Sequence, residues 1–129
     1  MKKITVVREL TGAGSEITYV PAPYRGTVKG VKVVSDLQMD ATGTLTVSRG
    51  ATTVNLVTVP AANVAAGVIL AGVPDATNKD LIFDPDSATA ANKVIKIVDD
   101  ATFLGGAATV TIEIEFDESA YVEQTASEA

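Results

Sequence analysis

The chain has 129 residues, of which 47% are hydrophobic and 20% charged, and its formal net charge is −6. This length suffices for a buried core, and we expect one domain over residues 1–129. The sequence contains no cysteine, histidine or tryptophan. Disulfide frameworks, thiol chemistry, Cys/His zinc sites and histidine-based catalysis are therefore excluded.

Charge is unevenly distributed along the chain. Residues 1–49 contain seven Lys or Arg and four Asp or Glu, whereas residues 99–129 contain eight acidic residues and no basic one. An acidic balance argues against a nucleic-acid partner, because such binding needs cations to replace phosphate counterions. No apolar run approaches the ~20 residues of a membrane span, and the N-terminus lacks a signal-peptide pattern. We therefore expect no membrane partner and synthesis in the cytoplasm.

The first part of the chain is rich in β-branched residues and predicts three strands. These predicted strands cover residues 4–10, 15–20 and 26–34. A glycine-containing turn at 11–14 makes the first two candidates for a hairpin.

Alternation along the third predicted strand assigns its side chains to two faces. One face carries Lys29, Val31 and Val33. The other face carries Val28, Lys32 and Val34. This mixed pattern is typical of a strand whose ends leave the core.

The middle of the chain predicts a second hairpin, formed by 44–49 and 53–59, with Leu45 and Val47 pointing inward. Segment 60–67 is compatible either with one helical turn that ends before Gly67 or with a loop. The short apolar runs 68–70 and 81–83 are either buried strands or loop anchors. Segments 73–78 and 84–92 are predicted as loop and turns.

The last predicted strands show the clearest alternation. In 93–98, Ile95 and Ile97 share one face. In 108–116 the residues expected on the buried face are Val110, Ile112, Ile114 and Phe116.

These seven to nine short strands predict an all-β fold, a single two-sheet antiparallel β-sandwich with a core over about 4–116. The acidic residues 117–129 lose the alternation and are predicted to form a C-terminal tail or arm.

Several local motifs suggest chemistry, but each has a simpler structural explanation. The Asp84-x-Asp86 spacing is that of a calcium loop, yet Thr89 and Ile95 stand where an EF-hand needs Gly and Glu. Two interpretations remain: turn-capping aspartates, which we favour, and an irregular calcium site. The four aspartates of that site would be Asp75, Asp80, Asp84 and Asp86.

Catalytic patterns are incomplete throughout the sequence. Gly12-x-Gly14 lacks the third glycine and following helix of a dinucleotide loop. Glu113 and Glu115 are better explained as a solvent-facing acidic stripe than as a glycosidase pair. No serine lies in a nucleophile elbow. We therefore predict no enzyme, no catalytic or metal-binding residue and no cofactor.

A small basic cluster, Arg25, Lys29 and Lys32, follows Tyr24. Lysines and arginines on an edge strand commonly prevent aggregation, and this is the favoured interpretation. The alternative is contact with an acidic partner surface, which would guide docking.

The order of the motifs is more specific than any one of them. Segment 21–35 (PAPYRGTVKGVKVVS) is followed by the Thr/Val-rich hairpin, by Ala65-Ala66-Gly67 and by the strand that begins at Ala108. Over residues 20–116 this order resembles the jelly-roll cement, or head decoration, proteins of tailed bacteriophages. The chain departs from the family where a Gly-Asp turn is usual, since 90–95 reads AANKVI.

The resemblance implies a structural virion protein on the outer surface of the icosahedral capsid. It implies a homo-oligomer, a trimer, that clamps neighbouring major capsid protein subunits. We expect the basic residues to face the capsid and the acidic end from Glu113 onward to face solvent or a sister protomer. The expected capsid-contact residues are Lys2, Lys3, Arg25, Lys29 and Lys32. The alternative is a head-fibre or carbohydrate- or receptor-binding module, which would use exposed tyrosines or a calcium loop.

Overall fold

The computed structural model describes residues 2–11, 16–36, 38, 43–59, 64–99 and 107–116. Within these ranges the chain forms nine strands and one short 3-10 helix, Ala90–Lys93. The strands are β1 (Lys2–Leu10), β2 (Ile17–Pro21), β3 (Gly26–Ser35), β4 (Thr44–Arg49), β5 (Thr52–Thr58), β6 (Ile69–Ala71), β7 (Val73–Pro74), β8 (Val94–Asp99) and β9 (Ala108–Phe116). No helix in these ranges has the length and hydropathy that a membrane span requires.

The strands form two packed antiparallel sheets. The four-stranded sheet has the order β1-β9-β3-β6, and the five-stranded sheet has the order β2-β8-β4-β5-β7. Apart from the two-residue β7, the pairs β1 with β9, β2 with β8, β3 with β6 and β4 with β5 wrap around one another. This wrapped order is that of a jelly roll. The predicted all-β, two-sheet sandwich is confirmed.

The core forms where the period-two alternation is strongest. In β9, the central strand of its sheet, Val110, Ile112 and Ile114 are at most 1% exposed. Ile95 and Ile97 of β8 belong to the same buried cluster from the opposite sheet. Phe116, Leu45 and Val47 are also buried, and β4 pairs with β5. The predicted inward faces of these strands and the second hairpin are confirmed.

The predicted hairpin between the first two strands is wrong. β1 pairs with β9 and β2 pairs with β8, so consecutive strands lie in different sheets. The physical reason is the length of the partner: β9 pairs with all nine residues of β1, whereas β2 offers only five. Pairing over the full strand satisfies more backbone groups than a local hairpin does.

The predicted faces of β3 are wrong for Val28 and Lys29, whereas Val31 and Val33 share one face and Lys32 and Val34 the other, as predicted. The register with β9 shifts between Val28 and Gly30, so this part of β3 contains a β-bulge. A bulge adds one residue to the strand and reverses the alternation beyond it. Val28, Val31 and Val33 are therefore all buried, and Lys29 is exposed.

The segments between the long strands are only partly as predicted. β7 occupies two residues of the predicted loop 73–78. In the apolar run 81–83, Phe83 is buried and forms an isolated bridge with Gly26. Residues 64–67 contain no helix, and the rest of segment 60–67 lies outside the described residues. The glycine motif at 12–14 and the predicted tail at 117–129 also lie outside them.

Candidate functional surfaces

The outer face of the four-stranded sheet carries charges of both signs. Thr5 lies opposite Glu113 on one side of β9, and Gly30 lies opposite it on the other. The Nζ atom of Lys3 is 3.5 Å from an oxygen of Glu113. Lys32 and Glu113 line one shallow depression on this face. We call this surface, with Lys3, Lys32, Glu113 and Glu115, the charged face.

The charged face brings acidic and basic residues of the expected arrangement side by side. Glu113, the first residue of the acidic end, contacts Lys3, one of the expected capsid-contact residues. This happens because β9 lies between β1 and β3, so its outward side chains lie among theirs. Opposite charges on neighbouring strands stabilise such a face.

The five expected capsid-contact residues fall into different surroundings. The Nζ atom of Lys29 is 3.2 Å from a carboxylate oxygen of Asp80, outside the charged face. Arg25 is exposed in the connection between β2 and β3. Lys2 lines a small depression with Tyr24 and Phe116. The structure thus brings Lys3 and Lys32 onto one face but does not place all five residues in one cluster.

The aspartates of the possible calcium site serve as turn residues. The side chain of Asp75 accepts hydrogen bonds from the backbone N–H groups of Thr77 and Asn78, both at 2.9 Å. Asp84 accepts one from the N–H of Asp86, also at 2.9 Å. Among the described residues, no three acidic side chains come together as a metal site. The turn-capping interpretation is confirmed for Asp75 and Asp84.

The tyrosines do not form an aromatic platform. The ring of Tyr24 stacks on Phe116, with centroids 4.9 Å apart and an interplanar angle of 27°. Tyr19 is 58% exposed but is the single aromatic residue of β2. Tyr121 lies outside the described residues. A sugar-binding surface usually needs several exposed rings, and the described part of the chain offers one.

Sequence reasoning missed a second surface, the outer face of the five-stranded sheet. The strand registers place five side chains in one row across all five strands. The row consists of Ile17, Val98, Thr46, Leu56 and Val73. We call this row the apolar row.

The apolar row is accessible to solvent. Ile17 is 52% exposed, Leu56 38% and Val73 70%. Tyr19 lies next to the row, opposite Lys96. Lys96 is the only charged residue that the register places on this face within the described strands. The sequence signal was an apolar residue at an outward position in four separate strands, which becomes visible only once the strand order is known.

Comparison of the chain with protein-family models, with curated proteins and with solved structures gives no match.

Proposed function

We propose that this protein is a structural component of a tailed-phage virion. In this proposal it binds the outer surface of the icosahedral capsid as a trimer and clamps neighbouring subunits of the major capsid protein. It is made in the host cytoplasm and reaches its final location when the shell is decorated. The support is the sequence resemblance over residues 20–116, together with the jelly-roll strand order.

The observation that carries the proposal is the apolar row. Five strands spaced about 4.8 Å apart make this row about 19 Å long. A row of exposed apolar side chains with one neighbouring charge is typical of a surface that another protein covers. We assign this face to the contact between protomers, because permanent interfaces are more apolar than transient ones.

Capsid contact is assigned to the basic residues predicted from the sequence. Lys3 and Lys29 already have carboxylate neighbours within the chain, so we assign the main contact to the exposed Arg25 and Lys32. Each protomer has a modest contact area, but three linked protomers gain avidity without additional kinds of contact. A clamp that binds only the expanded shell stabilises that state by mass action.

Co-sedimentation with empty shells tests this proposal. The shells are assembled from the major capsid protein of the same genome and compared before and after expansion. We expect the protein to sediment with expanded shells, and the double variant Arg25→Glu/Lys32→Glu to bind at least about tenfold more weakly.

The matched control is Lys79→Glu/Lys93→Glu, which changes the net charge equally at exposed positions outside the charged face. This control should bind like the unmodified protein. A protein that stays in the supernatant with both kinds of shell would refute the proposed function. Equal weakening by both double variants would refute the assignment of Arg25 and Lys32.

A further inference from the structure

Strand β1 is a long edge strand. It pairs with β9 along all nine residues and, within the described part of the chain, has no strand on its other side. Half of its backbone N–H and C=O groups therefore face outward, as in any edge strand. On the outer face of the sheet, the side chains of β1 are Lys3, Thr5, Val7 and Glu9. Val7 is 51% exposed.

The sequence of this edge is complementary to itself. If two copies of β1 pair antiparallel around a two-fold axis through Val6, all nine residues of each strand find a partner. Lys3 of each copy then lies opposite Glu9 of the other copy, and these residues form two attractive ion pairs on the outer face. Thr5 lies opposite Val7, so no like charges meet on this face.

Neighbouring registers lack this complementarity. In a continuous sheet, two residues that pair directly must point to the same face, so the two-fold axis has to pass through a residue and not between two residues. The neighbouring registers therefore have their axis one residue away from Val6, at Thr5 or at Val7. A centre at Thr5 places Lys2 opposite Arg8, which brings two pairs of like charges together. A centre at Val7 leaves Lys3 without a partner inside the strand. Only the centre at Val6 uses the whole strand and pairs Lys3 with Glu9; on the other face it sets Lys2 opposite Leu10 and Arg8 opposite Ile4, so no like charges meet there either.

We propose that β1 is an interface for a second copy of this chain, paired antiparallel through Val6 and joining two four-stranded sheets into one of eight strands. The self-complementary charges are what a two-fold interface requires, because each surface must match itself. This contact is separate from the apolar row and does not rest on the proposed function. Trimers formed through the apolar row would keep three free β1 edges, so both contacts together give assemblies with an even number of chains.

Charge exchange within β1 tests the proposal. Sedimentation equilibrium of the purified protein should give an even multiple of the 13.3 kDa chain mass. Lys3→Glu and Glu9→Lys each replace two attractive pairs with like charges and should raise the dissociation constant of this contact at least about tenfold. The double variant Lys3→Glu/Glu9→Lys restores complementarity and should recover association to within about threefold.

A control separates the interface from the ion pair inside the chain. Glu113→Gln removes the carboxylate that contacts Lys3 without changing β1, so it should leave the assembled mass unchanged. The double variant still carries Glu at position 3 beside Glu113, so its recovery cannot come from a repaired fold. A mass of one or three chains at about 100 µM would overturn the proposal, as would a double variant no better than the single ones. Neither outcome depends on capsid binding, which the shell experiment measures separately.

Discussion

Gly26 begins β3 at a point where three segments of backbone meet. It lies opposite Phe116 of β9, and on its other side it exchanges two backbone hydrogen bonds with Phe83, of 2.9 and 2.8 Å. A Cβ atom at this position would overlap the carbonyl oxygen of Glu115 and lie 3.0 Å from the Cα atom of Phe116. These are backbone atoms of the central strand and cannot rotate away. Gly26→Ala must therefore separate β3 either from β9 or from Phe83.

The loss of stability can be estimated from either alternative, a strained contact with β9 or lost hydrogen bonds with Phe83. Overpacking a buried site costs about 1–3 kcal/mol. Losing the two hydrogen bonds with Phe83 costs a similar amount, since each contributes about 0.5–1.5 kcal/mol. We expect Gly26→Ala to lower the free energy of unfolding by about 1–3 kcal/mol, a substantial part of the roughly 6–19 kcal/mol typical of a chain this long.

Urea unfolding measures this change, and Gly30→Ala is the matched control. A Cβ atom at Gly30 would lie 3.7 Å from the Cβ of Glu113, an ordinary contact. Gly30→Ala should therefore be neutral or stabilise the protein by up to about 1 kcal/mol. The urea midpoint of Gly26→Ala should fall clearly at an unchanged m-value. If the two variants were equally stable, the steric argument at Gly26 would be refuted.

Two further predictions concern Gly72, which links β6 in one sheet to β7 in the other, and the apolar row. Gly72→Ala should destabilise the protein by about 1–3 kcal/mol, because the new Cβ overlaps the buried side-chain oxygen of Asn55. In urea unfolding, adding Asn55→Ala should recover part of this loss. If the costs of the two substitutions were strictly additive, the proposed clash would be contradicted. Ile17→Glu/Val73→Glu should change the free energy of unfolding by less than about 0.5 kcal/mol per site, because both side chains are more than half exposed. It should also abolish the threefold contact, so that light scattering gives the mass of two chains, joined through β1, where the unmodified protein gives six. A mass that stays a multiple of three chains would exclude the apolar row as the protomer contact.

The strands that the sequence predicted well are those whose local pattern reflects one buried and one exposed face. β9 alternates without interruption over nine residues, and its predicted bounds match the structure. In β8, Ile95 and Ile97 alternate with half-buried residues in the same way. In such strands, burial at every second position is written directly into the sequence.

The errors arise where structure depends on residues far away in the chain. A glycine-rich turn indicates that β1 ends but does not indicate which sheet receives β2, because that is decided by pairing with β9 and β8. The bulge at Val28 and Gly30 shifts the faces of β3 by one residue, and Gly30 gave no clear signal of it.

Less of the charged face and the apolar row than of the fold could be predicted from the sequence. The basic cluster was visible because Arg25, Lys29 and Lys32 are close in sequence. Glu113, the acidic neighbour of Lys32 on the charged face, comes from a strand about 80 residues later. The apolar row takes one residue from each of five strands, so no window of the sequence contains it.

Strand β1 connects the fold to the proposed interface. Its inward side chains are less buried than those of β9: Leu10 is buried, but Ile4 and Val6 are half-buried and Arg8 is exposed, although all nine residues are paired. An edge strand of this length with so little burial gains less from its own core than its neighbours do. Pairing with a second β1 would satisfy its outward backbone groups and cover Val7 at once. The weak burial of β1 and its self-complementary charges therefore support the same conclusion, that this edge is completed by another copy of the chain.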